Sequence, residues 1–162
     1  TAVEWLRSPI VYAGDPALRD GLLDLADRIV ERGAVGRHYL HVARQQRAVK
    51  PTLKRFFYVL RPAAALRWLE VHPAQAVPPM DLPTLIEEGD LDDDVRTAVH
   101  DLIAQKAQTR ELGAGTPPAT LDRFVTAQLD RAEVYEDAAP ERDGALVRSL
   151  ADEYFLSLVR PT

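Results

Sequence analysis

Apolar residues recur three and four apart along nearly the whole chain, a spacing that predicts helices. A short turn is expected over residues 2–6, closed by Ser8-Pro9. Asp15-Pro16 then offers a capping carboxylate and a proline at the first helical position. Leu18, Leu22, Leu25, Ala26, Ile29 and Val30 follow at helical period up to Gly33, a natural stop. A second helix is expected over about 36–48. Lys50-Pro51-Thr52 opens the longest one, which runs to about residue 71. In it Leu53, Phe57, Leu60, Ala64 and Trp68 keep the 3.6 period, and Phe56, Val59, Ala63 and Leu66 widen the apolar face. Pro62 lies inside this run, where it removes a donor and crowds the Tyr58 carbonyl, so a kink is expected.

Pro73, Pro78, Pro79 and Pro83 predict a stiff, irregular connector over 71–82. Asp92, Asp93 and Asp94 begin a helix carrying Val95, Val99, Leu102, Ile103 and Leu112. A linker over 113–118 and two helices, 119–137 and 141–159, complete the pattern. Ile10-Val11-Tyr12 is the one short stretch with strand character. The expected fold is all-α, an irregular helical bundle of about five to seven helices around a long Pro-kinked central helix. Residues 1–162 are read as one domain, with basic helices in 1–90 and further helices in 91–162 after an acidic turn.

Composition changes this picture in four ways. A chain of 162 residues can bury one real core, and 46% hydrophobic with 28% charged residues is a globular balance rather than a disordered one. The absence of cysteine excludes disulfides, cysteine-based zinc sites, iron–sulfur clusters and a cysteine nucleophile, and fits a cytoplasmic setting. No apolar run is long enough for a bilayer, so no membrane partner is expected. Charge is the fourth: the formal net charge is −5, yet Arg32 to Leu69 holds nine basic residues and no acid. Such a segment attracts polyanions, phosphate above all. The opening at Thr1 reads like mid-protein sequence, as expected of a fragment.

Candidate chemistry concentrates on the long helix. Lys54, Arg55, Tyr58 and Arg61 form a narrow polar stripe, with Lys50 one turn earlier, and residues three and four apart can converge on one ligand. The same pattern also describes a solvated face with a tolerated proline, Arg61 tying carbonyls freed by Pro62. His38 and His41, three apart, lack a third ligand for a metal and read as packing or hydrogen-bonding residues. Trp5 and Trp68 read as core anchors. The acidic run from Glu87 to Asp94 reads as a turn and helix cap, since acids favour the positive end of a helix. No nucleophile elbow, Gly-rich phosphate loop or His-Glu metalloprotease pair is present.

The stretch 50–68, KPTLKRFFYVLRPAAALRW, resembles a signature of predicted nucleotidyltransferases of the DNA polymerase beta superfamily, in the branch associated with RNA repair. Glu4 to Tyr12, His38 to Ala43 and Pro78-Pro79-Met80 are similar to further segments of that family, in order, so the likeness covers roughly the first ninety residues. The resemblance implies a helical domain beside a catalytic palm. The parent enzyme would transfer a nucleotidyl group from a nucleoside triphosphate to a hydroxyl acceptor, an RNA end, using Mg²⁺. It further implies that Lys54, Arg55, Tyr58 and Arg61 hold phosphate or nucleotide, and that His38, Tyr39, Arg44, Arg47 and Lys50 meet the acceptor nucleic acid. The family's Gly-Ser turn and strand-borne Asp-x-Asp pair are absent, and Asp90-Leu91-Asp92 and Asp92-Asp93-Asp94 precede a helix instead. The chain alone is therefore expected to be inactive, to bind no metal itself, and to depend on an upstream palm domain. Two other functions fit the residues: a non-catalytic RNA-binding module, and a structural or oligomerisation domain whose last two helices dock on a partner.

Overall fold

The computed structural model describes residues 2–11, 13–48, 52–108, 115–138 and 143–159. Among them are eight α-helices and one 3-10 turn, and no strand. The helices are α1 (Ala2–Leu6), α2 (Pro16–Ile29), α3 (Arg32–Arg47), α4 (Leu53–Val71), α5 (Leu82–Glu88), α6 (Asp93–Gln108), α7 (Ala119–Arg131) and α8 (Gly144–Val159), with the 3-10 turn at Ala132–Tyr135 between the last two. The all-α class is as expected. The fold has one more helix than the upper expectation, and Ile10 and Val11 are exposed irregular chain rather than strand.

The centre of the bundle is α4. It starts at Thr52, whose hydroxyl accepts from the Arg55 amide at 3.2 Å, and it continues through Pro62 to Val71. Leu60, Ala63, Ala64, Ala65, Trp68 and Leu69 are all at most 1% exposed, so its C-terminal two-thirds is surrounded. Three successive alanines allow neighbours to approach from several sides, which is how a helix apolar all round is accommodated in a small domain. Tyr39, Leu40 and Ala43 of α3, Leu121, Val125 and Leu129 of α7, Leu85 and Ile86 of α5, and Val95, Val99 and Leu102 of α6 complete the core.

Two boundaries differ from the sequence reading for a packing reason. Gly33 does not end α2, which caps at Val30; it lies in the first turn of α3. A Cβ on Gly33 would stand 2.9 Å from that of Ala138, and one on Gly36 2.5 Å from the Tyr135 ring. These glycines let α3 lie against the 3-10 turn. The missed helix α5 sits within the proline-rich stretch. Asp81 caps it, accepting from the Thr84 amide at 2.9 Å, and Pro83 belongs to its first turn. The linker expected at 113–118, the extension of α6 to Leu112 and the helix start at Glu141 fall wholly or in part on residues outside those described.

At the edge of the bundle, α8 buries none of its residues and packs chiefly against α2, where the Tyr154 hydroxyl donates to the Leu18 carbonyl at 3.1 Å. No helix is long and apolar enough to cross a membrane among the described residues.

Candidate phosphate-binding face of helix α4

Most of the cations between Arg32 and Leu69 are engaged inside the fold. Arg32 gathers the end of α4: Nη1 donates to the carbonyls of His72 at 3.0 Å and Gln75 at 3.1 Å, and Nη2 to the Leu69 carbonyl and to the Tyr135 hydroxyl at 3.1 Å. Unsatisfied carbonyls at a helix C-terminus favour a cation. Arg37 donates to the Ala138 carbonyl at 2.6 Å. Arg67 spans the turn after α5, with Nε on the Gly89 carbonyl at 3.0 Å and Nη2 on the Asp90 carbonyl at 2.9 Å. That turn is tight: Asp90 has φ 47°, a left-handed conformation that aspartate tolerates better than most residues.

Arg44 is paired with Glu133 at 3.1 Å and with Glu136, and Arg47 with Asp122 at 3.4 Å and the Thr126 hydroxyl at 2.8 Å. Both anchor α3 to the α7 end of the molecule, so neither is a free guide for an acceptor strand. These partly exposed pairs are each worth about 0–1 kcal/mol, and a phosphate can compete for the guanidinium.

Arg61 turns inward. Its Nε donates to the Met80 carbonyl at 2.6 Å, its guanidinium lies 5.8 Å from the Tyr39 ring centroid, and Nη2 is 3.7 Å from Glu4 Oε2. The Tyr39 hydroxyl donates to the other Glu4 oxygen. Burial by itself would raise the Glu4 carboxyl. Hydrogen bonds, with Tyr39 among the donors, and the Arg61 charge outweigh burial and hold it below its ordinary value. Burial first, and the Glu4 carboxylate next, push the Tyr39 hydroxyl far above its ordinary range. The Glu4–Tyr39–Arg61 group ties α1, α3, α4 and the proline connector together. It replaces two expectations: Arg61 holds the Met80 carbonyl rather than those freed by Pro62, and Tyr39, 1% exposed, is a core residue that no base can stack on.

The remaining cations of the stripe are outward-facing. Lys54 and Arg55 are exposed and have no ion-pair partner among the described residues, and Tyr58 is 56% exposed. Lys54 and Tyr58 share a face of α4, four residues apart. Arg55 lies to one side and, with Arg47, lines a cavity of about 240 Å³ between the end of α3, the start of α4 and the start of α7. Phe56, Val59 and Val125 form its apolar wall. The structure thus brings Arg47 and Arg55 to one cavity, sets Lys54 and Tyr58 beside it on the same helix, and separates Arg61 from them by burial. Lys50 lies outside the described residues.

His38 lines a different, largely apolar cavity of about 270 Å³ with Tyr39, Val77 and Pro78, its ring 5.5 Å from the Tyr39 ring. The His41 ring is 2.8 Å from the Gln45 amide nitrogen. Among the described residues no group of three or more His, Asp or Glu is arranged to hold a metal. The acids of the run have local partners: Glu88 accepts from the Trp68 Nε1–H at 2.7 Å, and Asp93 and Asp94 occupy the positive first turn of α6, where Asp94 Oδ1 accepts from the Val95 amide at 2.8 Å. These residues do not fit a two-metal centre.

Trp68 is a core anchor, stacked on His72 with centroids 4.3 Å apart and its Nε1–H on Glu88 at 2.7 Å. Trp5 is not one: it is 70% exposed, because α1 is too short to bury both its faces. The sequence reading missed the Arg32 clasp and the role of Glu4, since partners 35 to 103 residues away carry no local spacing signal.

Fold and face define an all-α domain with an exposed cationic helix start and no metal-holding group among its described residues. The chain belongs to the RNA repair pathway DNA polymerase beta family, RlaP, whose model matches residues 1–157. It is also similar to the uncharacterized protein YcgL of Bacillus subtilis (strain 168), at 28% identity over 134 residues, covering 80% of this chain and 51% of that protein. The chain therefore spans about half the length of the curated relative it matches. No solved structure matches it.

Proposed function

We propose that this chain is the helical nucleotide- and acceptor-holding part of a nucleotidyltransferase that acts on an RNA end, working beside an upstream palm domain. The supporting observation is the start of α4. Arg32, Arg37, Arg44, Arg47, Arg61 and Arg67 all have internal partners, whereas Lys54 and Arg55 have none among the described residues and share their face with exposed Tyr58. Cations kept out of internal pairs are available to a polyphosphate. They stabilise the negative charge that a nucleoside triphosphate carries and redistributes on transfer, and they cost little reorganisation because the helix fixes their stems. Arg55 would take phosphate at the 240 Å³ cavity, where Arg47 can exchange Asp122 for a phosphate oxygen, Lys54 the outer phosphate oxygens, and Tyr58 the base or ribose. Mg²⁺ would be held by carboxylates of the palm and not by the acids around the start of α6, where Asp93 and Asp94 sit in the first turn.

In the full-length protein, Lys54→Glu with Arg55→Glu should lower incorporation of labelled nucleotide onto RNA by about 100-fold or more, with folding unchanged. Incorporation at the wild-type rate would reject the assignment. A second reading has its own observation: Phe155, Leu158 and Val159, three and four apart on α8, are each at least 50% exposed. An apolar helix face of that kind suits a partner surface, and a purely structural domain would dock there without binding nucleotide or RNA.

A further inference from the structure

Helix α8 has two unlike faces. Val147, Leu150, Ala151 and Tyr154 are half-buried, on the side where Tyr154 meets α2, and every other residue of the helix is exposed. Away from α2, Arg148, Asp152, Phe155 and Val159 stand four, three and four apart. Residues so spaced form one straight stripe, the pattern by which two helices pair. Phe155 is 61% and Val159 54% exposed. Arg148 and Asp152 lie one turn apart, yet neither has an ion-pair partner among the described residues.

The charges of the stripe select the occupant. A polyanion needs several convergent cations, and α8 has Arg148 alone, with the acids Asp152 and Glu153 beside it. A lipid surface favours helices with a basic polar face, and a carboxylate in the middle of the stripe opposes it. A second copy of the same helix fits. Laid antiparallel about a two-fold axis at the level of Leu150, Arg148 meets Asp152 of the second copy, and Asp152 meets Arg148 of the second copy. The same register sets Phe155 against Ala145 of the second copy, a large side chain against a small one. In a parallel pair each charge would face its like, which repels.

We propose that α8 pairs with α8 of a second copy in this antiparallel register. The reciprocal ion pairs fix the register, and Phe155 and Val159 supply the apolar area removed from water. Two 16-residue helices bury less than the roughly 800 Å² per partner of a stable interface. The dimer is therefore weak, forming above about 10 µM and leaving α8 bare in dilute solution. It makes no use of the α4 face and does not rest on the nucleotide reading.

Sedimentation velocity of the full-length protein from about 1 to 300 µM tests the proposal. The wild type should pass reversibly from monomer to dimer across that range. Arg148→Glu alone and Asp152→Arg alone should each raise the dissociation constant about tenfold or more, since each creates two like-charged contacts. Mixed in equal amounts, these two variants should associate again, because every contact between them is then opposite in charge. Phe155→Ser should also weaken the dimer, whereas Lys54→Glu with Arg55→Glu should leave it unchanged. All these positions are exposed, so melting temperatures of the dilute variants should match the wild type. The proposal is overturned if the protein stays monomeric throughout, if association survives both single charge changes, or if their mixture fails to associate. Association lost in the Lys54/Arg55 variant but kept in Arg148→Glu would mark a head-to-tail contact instead, and equally overturns it.

Discussion

Glu4 illustrates how much one residue carries here. It is 9% exposed and faces Tyr39 and Arg61 at once. Replacing it with glutamine leaves the Arg61 guanidinium half-buried without its counter-charge, and should cost about 2 kcal/mol in chemical denaturation. The carboxyl is held below its ordinary value of 4.5, so the sign of its pH dependence is fixed. Its contribution is complete above the unfolded value and disappears as pH falls through the lower folded value. The wild type should therefore lose stability below about pH 4.5 with a component that Glu4→Gln lacks; equal acid sensitivity in the two proteins would contradict this. Tyr39→Phe should cost about 1 kcal/mol, the worth of one buried hydrogen bond. None of this was legible locally. Glu4 and Tyr39 are 35 residues apart, and the resemblance sets Tyr39 at the acceptor nucleic acid.

Among the elements, α4 was the most readable. Its start at Thr52, its end near Val71 and its apolar positions follow directly from spacing, because a central helix must bury a wide face and the 3.6 period shows where. The start of α3 and the existence of α5 were not readable in the same way. Gly33 and Gly36 serve contact with the 3-10 turn a hundred residues later, and a glycine kept for close approach looks the same in sequence as one that ends a helix. Pro83 looks like connector chemistry until Asp81 is seen capping the turn that contains it. The glycines give a paired prediction. Gly36→Ala drives a methyl into the body of the Tyr135 ring, whose hydroxyl is held by Arg32, and should cost about 1–3 kcal/mol in global stability. Gly21→Ala meets only the far end of the Tyr154 side chain, at 2.5 Å, and should loosen the α2–α8 contact with little global effect. Thermal melts and amide exchange of both variants check the contrast.

At the scale of the molecule, a tight bundle of α3 to α7 carries a lightly attached α2–α8 pair. Only Ala26 of α2 is buried, and no residue of α8 is. Native-state amide exchange should accordingly be several orders of magnitude faster in α8 than in the middle of α4, since local opening there exposes little apolar surface. Strong protection of α8 in the isolated chain would mean that it is covered by a second copy. The cationic segment from Arg32 to Leu69 was legible as a polyanion attractor, but its use was not. Most of those arginines turn out to hold carbonyls and acids that come from elsewhere in the chain. What survives as available charge is the exposed beginning of α4, Lys54 and Arg55 with Tyr58 beside them. The most direct measurement is equilibrium binding of a nucleoside triphosphate and a short RNA to the wild type and to Lys54→Glu with Arg55→Glu, at two salt concentrations and with melting temperatures matched. Salt-sensitive binding that falls about tenfold or more in the variant is the predicted result; the same affinity in both proteins would contradict a phosphate-gripping role for this helix.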